Sequence, residues 1–115
     1  MNEAPTAVID QPSPVPPTRN AAVVRCCTAR ESSLRESRAK ALNRFETKDN
    51  ANAAYCDAMP DLSGHQNIRD FIACVAHGMV TGVIHAIEGP KFLYAAQVAI
   101  GALRREPKEQ KQPAA

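Results

Sequence analysis

A chain of 115 residues is long enough for one domain at most, and its 44% hydrophobic content suits a globular core. Alanine supplies much of that content and tryptophan is absent, so the core is expected to be modest, and self-association is one way to bury more surface. The net charge of +2 conceals a segregation: residues 19–48 carry +5, residues 49–89 carry −4, residues 90–115 carry +3 and residues 1–18 carry −2. Such an arrangement suits internal complementarity as readily as an external anionic partner.

Residues 1–19 hold five of the nine prolines and are expected to be a disordered tail with polyproline II character. They lack the charged start and apolar run of a secretory signal. The four cysteines, Cys26, Cys27, Cys56 and Cys74, show no framework spacing, and an adjacent-residue disulfide between Cys26 and Cys27 would be a strained small ring. Reduced thiols in the cytoplasm are the simplest expectation.

From Asn20 to Glu46 the pattern is helical, with Val23, Cys27, Leu34, Ala41, Leu42 and Phe45 on one side. Thr28 with Glu31 and Ser33 with Glu36 both resemble capping boxes, so Ala29–Glu46 is the firm part and Ala21–Cys27 is either its continuation or a separate turn. Lys48-Asp49-Asn50 is expected to break the pattern. A short helix over Ala51–Met59 follows, closed by Pro60.

The stretch Ser63–Glu88 is expected to be the central helix. Ile68, Phe71, Ile72, Val75, Met79, Val83 and Ile87 recur at spacings of three and four, Ser63 with Gln66 matches a capping box, and Gly89-Pro90 supplies a stop. Asp70, Cys74, His77, Thr81, His85 and Glu88 then fall on the opposite, polar face, while Ala73, Ala76, Val80 and Ile84 fill a flank. Seventeen residues without a charge are short of the roughly 20 that a membrane span needs, so a core helix is expected. The last helix is placed at Pro90–Arg105, with Phe92, Leu93, Ala96, Ala99, Ile100 and Leu103 facing the core. A connection of two or three residues makes it an antiparallel hairpin with its predecessor. Residues 106–115 are expected to be a disordered polar tail. The fold class is therefore all-α: a small bundle of three main helices plus one short helix in residues 20–105.

Four kinds of chemistry are open to these residues. Cys74 and His77, three apart on one helix, suit two ligands of one metal ion. His85 lies about 12 Å beyond His77 at 1.5 Å per residue, so a third ligand must come from Cys56, His65 or another subunit. Cys74 beside His77 is also the arrangement of an activated thiol, with Asp70 or Glu88 as the orienting acid. Nothing resembles an oxyanion loop, so no catalytic residue is assigned, no cofactor is expected and the pattern points away from an enzyme. Arg25, Arg30, Arg35, Arg38, Lys40 and Arg44, with Lys48 beyond them, form a basic segment for contacting nucleic-acid phosphates, and Asn43 is placed to reach a base edge. Those bases surround the helix and are interleaved with Glu31, Glu36 and Glu46. The fourth possibility is a protein-interaction surface, since the alanine-rich last helix and the lone Arg30 and Arg38 suggest a core not closed by one chain.

The segments GHQNIRDFIACVAHGM and KFLYAAQVAI, together with CCTARESSLRESRAKALNRFET, resemble stretches of small bacterial proteins that have no assigned activity. The resemblance implies a bacterial, intracellular setting and no mechanism. The leading expectation is a non-enzymatic helical interaction protein that self-associates or binds a protein partner, without a membrane. Its competitor is a nucleic-acid-binding accessory protein using residues 25–48, and the third class is metal or thiol chemistry at Cys74 and His77.

Overall fold

A computed structural model describes residues 19–111, with side chains as far as Arg105. The expectations for residues 1–18 and 112–115 lie outside the described residues. The described chain is all-helical, with four helices and no strand: α1 (Ala21–Ala39), α2 (Arg44–Asp57), α3 (His65–Thr81) and α4 (Glu88–Lys111). All four are of substantial length, 19, 14, 17 and 24 residues, in place of three main helices and one short one.

The first helix takes in Ala21–Cys27 and stops earlier than its periodicity implies. The Asn20 side chain caps α1 by accepting from the N–H groups of Ala22 (2.7 Å) and Val23 (3.2 Å), so Ala21–Cys27 continues the helix. Its other end is a Schellman arrangement: Leu42 N–H donates to the Ser37 carbonyl (3.1 Å) and Ala41 N–H to the Arg38 carbonyl (3.0 Å). Ala41 takes the left-handed conformation, φ 57°, that usually belongs to glycine there. Asn43 then caps α2 through a complete capping box with Glu46. The expected break at Lys48-Asp49-Asn50 therefore lies inside α2. Restarting the helix at Arg44 changes its phase, which leaves Phe45 79% exposed and Ala41 outside the core.

The central helix is also shorter than expected. Ser63 does not cap it; the N-cap is Gly64 (φ 80°), and the Ser63 hydroxyl instead accepts from the Asn67 side chain at 3.4 Å. Gly82, at φ 84°, ends α3 about two turns before Gly89-Pro90. Ile84 N–H returns to the Gly78 carbonyl (2.9 Å) and the Thr81 hydroxyl donates to the His77 carbonyl (3.0 Å), so last-turn carbonyls are satisfied. Gly89 and Pro90 fall in the first turn of α4, where a missing N–H costs nothing. His85 consequently leaves the helix of His77 and lies in the connecting segment. The last helix runs on to Lys111, past the expected Arg105.

Helix packing follows the order α2–α1–α3–α4: α1 lies against α2 and α3, and α4 packs on α3. The contact line of the α3–α4 hairpin runs from Met79 over Gly89 back to Phe71 edge-on to Phe92, ring centroids 6.1 Å apart. The buried apolar side chains are Ala22, Val23 and Cys26 from α1, Ala51 and Tyr55 from α2, Ile68, Phe71, Cys74 and Val75 from α3, Ile84 from the connection and Ala96 from α4. So α3 supplies the most buried side chains, α1 and α3 share the middle of the packing order, and α4 contributes least. Cys74 belongs to this core and not to a polar face, because the side of α3 that carries it meets α1 and α2. Conversely Ala76 and Val80 are exposed, the latter by 86%.

Candidate interaction surface and the thiol cluster

Where α1, α2 and α3 converge, four of the residues with chemical potential come together. Cys26 Sγ, on α1, donates to Cys74 Sγ, on α3, at 3.6 Å, and one residue along, Cys27 Sγ meets His77 Nε2 at 3.6 Å. The Tyr55 hydroxyl donates to the Cys74 carbonyl at 2.6 Å, and its ring stacks on His77 at 6.5 Å between centroids. All four cysteines are free thiols.

Burial favours the neutral forms of Cys26, Cys74 and Tyr55. Burial, followed by the hydrogen bond to Cys74, pushes the Cys26 thiol up from 9.0 to about 12. Burial likewise raises Cys74, and burial with the neighbouring Asp57 carboxylate raises Cys56. The Tyr55 hydroxyl also rises, again from burial. A thiolate is the form that attacks or ligates, and desolvation disfavours it at Cys74. Sequence proximity had paired Cys74 with His77; in the fold each turns to a different α1 cysteine. Among the described residues no group of three or more His, Cys, Asp or Glu side chains is placed to hold a metal ion, and no pocket is formed. The cluster acts chemically as a packed, hydrogen-bonded joint between three helices.

The basic residues are dispersed. At about 100° per residue, Arg25, Arg30, Arg35 and Arg38 point in four directions around α1. Arg25, Arg35 and Arg38 are exposed, whereas Arg30 is half-buried, its Nε enclosed without a hydrogen-bond partner. Arg35 donates to the Ser32 hydroxyl (3.3 Å), and Lys40, just past the helix end, pairs with Glu36 (3.6 Å) in an exposed contact of small energetic weight. Arg44 opens α2, where Asn43 is occupied as its cap.

The outer face of α4 has a different character. Residues 92–103, FLYAAQVAIGAL, carry no charge and a single amide side chain. One side of the helix, with Phe92, Leu93, Ala96, Ala99, Ile100 and Leu103, packs toward α3. The other side carries Tyr94 (68% exposed), Ala95, Val98 (55% exposed) and Ala102, with Ile87 exposed just before the helix begins. A helix apolar on both sides is normally covered on both. No helix among the described residues is long and apolar enough to cross a membrane.

Two structural contacts were not foreseen. Asn20 Nδ2 donates to Asp70 Oδ1 at 2.9 Å, fastening the cap of α1 to α3, and Gln66 Nε2 donates to the same oxygen at 3.1 Å. An Asn directly before an apolar run was the legible signal for the cap, while its link to Asp70 carries no local signature. No family model, curated protein or solved structure matches the chain, which leaves the resemblance to small bacterial proteins without support.

Proposed function

We propose that the protein is a non-enzymatic helical interaction protein whose contact surface is the outer face of α4. The observation that carries this reading is the uncharged 92–103 segment with Tyr94 and Val98 open to water on the side away from α3. An apolar helix face left uncovered is an association site by the same physics that buries a core. A partner helix laid there would complete the small bundle that α1–α4 leave open. Reduced thiols, and hence a cytoplasmic setting, agree with the neutral cluster at Cys26 and Cys74. The test is a photo-crosslinking amino acid at position 94 or 98 of the full chain in its native cells, with position 28, also exposed, as control. Adducts with any protein chain, specific to 94 and 98, are expected; adducts no stronger than from position 28 refute the reading.

One observation favours a second reading, nucleic-acid binding at the α1–α2 corner. There Phe45 is exposed, in a stretch of chain that also carries the exposed Arg38, Lys40, Arg44 and Lys48, a combination suited to base stacking beside phosphate contacts. Binding of mixed single strands that weakens with salt and with Phe45→Ala would support it. Binding indifferent to both would dismiss it.

A further inference from the structure

We infer that the occupant of the α4 face is a second copy of this chain, its α4 running antiparallel across a two-fold axis between Ala96 and Gln97. This rests on the proposed interaction role and goes further by naming the partner and the register. Lys91, Tyr94, Ala95, Val98, Gly101, Ala102 and Arg105 follow the three-and-four spacing of a helix–helix seam along the side of α4 opposite its α3 contacts. The small side chains in its middle let two backbones approach closely. The charged residues sit at the two ends, and they decide the orientation.

A parallel pair would set Glu88 against Glu88, Lys91 against Lys91 and Arg105 against Arg105, with the two helix dipoles aligned. Turned antiparallel about that axis, Glu88 lies across from the partner's Arg105, Lys91 across from the partner's Ala102, and Ala95 across from the partner's Val98. Two acid–base pairs then close the ends of an apolar seam, and the dipoles oppose. Glu88 and Arg105 are both exposed, and among the described residues Glu88 pairs with the exposed Lys91 at 3.7 Å. The interface is isologous, so every contact occurs twice.

The experiment is sedimentation of the full chain over roughly 1–300 µM, a range chosen because a seam of this length makes a weak dimer. A reversible dimer is expected, abolished by Val98→Glu. Glu88→Arg and Arg105→Glu, each alone, are expected to weaken it about tenfold through two like-charge contacts per dimer. An equimolar mixture of those two variants is expected to regain wild-type affinity, because each then offers the charge that the other lacks. Damage to the fold of α4 would not be repaired by mixing, and in a parallel pair neither variant alone would weaken the dimer, because one like-charge contact would only replace another; weakening and rescue together therefore read the antiparallel pairing. A wild-type chain that stays monomeric overturns the inference, as does a dimer that both charge variants leave intact or that mixing fails to restore. If the chain is monomeric but positions 94 and 98 crosslink to a different protein, self-pairing fails while the interaction role stands. With no specific crosslink at all, both fail. Dimerisation that appears only after deletion of residues 1–18 shows that face covered by its own chain and overturns self-pairing of the full-length protein.

Discussion

At Gly78 α3 meets both Ile84 of the connection and Tyr55 of α2, and its replacement by alanine separates two opposing effects. It lies in the last turn of α3, where alanine in place of glycine should favour the helix by about 1 kcal/mol. Against that, a Cβ here would stand 2.7 Å from both Cγ1 and Cδ1 of Ile84 and 3.2 Å from Cε1 of Tyr55. Carbon atoms pack at about 3.5–4.0 Å, so Ile84 must move. It has little freedom: it is 3% exposed, β-branched, and its N–H is bonded to the Gly78 carbonyl. Overpacking of this kind costs about 2 kcal/mol, which leaves Gly78→Ala destabilising by about 1 kcal/mol net. Urea unfolding followed by far-ultraviolet circular dichroism measures it, provided the slope with denaturant is unchanged. Ile84→Val removes one of the two colliding atoms for about 1 kcal/mol of its own. In that background Gly78→Ala should become nearly neutral, a coupling of about 1 kcal/mol between the sites. A wild-type background in which Gly78→Ala raises stability, or an equal cost in both backgrounds, would show that the α3–Ile84 approach is not as close as described.

Ala41→Gly should stabilise the chain by about 1 kcal/mol, because the left-handed conformation at the end of α1 then costs nothing; a loss of stability in the same urea assay would refute the Schellman geometry. Asn20→Ala should cost about 1–2 kcal/mol by removing the α1 cap and the bond to Asp70, and Asp70→Ala should cost less in that variant than in the wild type; additive losses would deny the link. The thiol cluster makes stability fall in alkali. A folded-state value raised from 9.0 to about 12 at Cys26 means that the folded chain keeps a proton the unfolded chain releases. The stabilisation is complete below about pH 9 and is lost as pH rises toward 12, by up to about 1.4 kcal/mol per pH unit for that one thiol. Cys26→Ala should flatten the slope of unfolding free energy against pH between 9 and 11 whatever its effect at pH 7, and an unchanged slope would place the proton elsewhere.

Much of the fold was legible in local chemistry. The apolar repeat from Ile68 to Val75 marked α3 as a core helix, and the absence of strand alternation pointed to an all-helical chain. The face of α4 that meets α3 was read correctly from Phe92, Leu93, Ala96 and Ile100. Helix ends were not legible, for a physical reason that recurs. Gly82 and Gly89-Pro90 are both competent stops, and the choice between them belongs to contacts between α3 and α4, the seating of Met79 on Gly89 and of Phe71 on Phe92. Ala41 carries no stop signal whatever; it accepts a strained backbone because the α1–α2 corner requires a turn there.

Periodicity tells which side of a helix avoids water, but not how many neighbours it has. That is why Cys74 was placed on a polar face: cysteine is read as polar or apolar only by what surrounds it, and two helices close over this one. It is also why Val80, on a flank of α3 that the described residues leave open, is exposed, whereas Phe45 is exposed because the helix is cut and rephased at the α1–α2 corner. By itself, then, the sequence determined the helical class, the central helix, the charge segregation and the uncharged run of α4, because each depends on side-chain type and short-range spacing. The tertiary structure alone decided which thiols meet, where three helices end, and that among the described residues the uncharged run is covered on one side, because each depends on which surfaces are brought together across the chain.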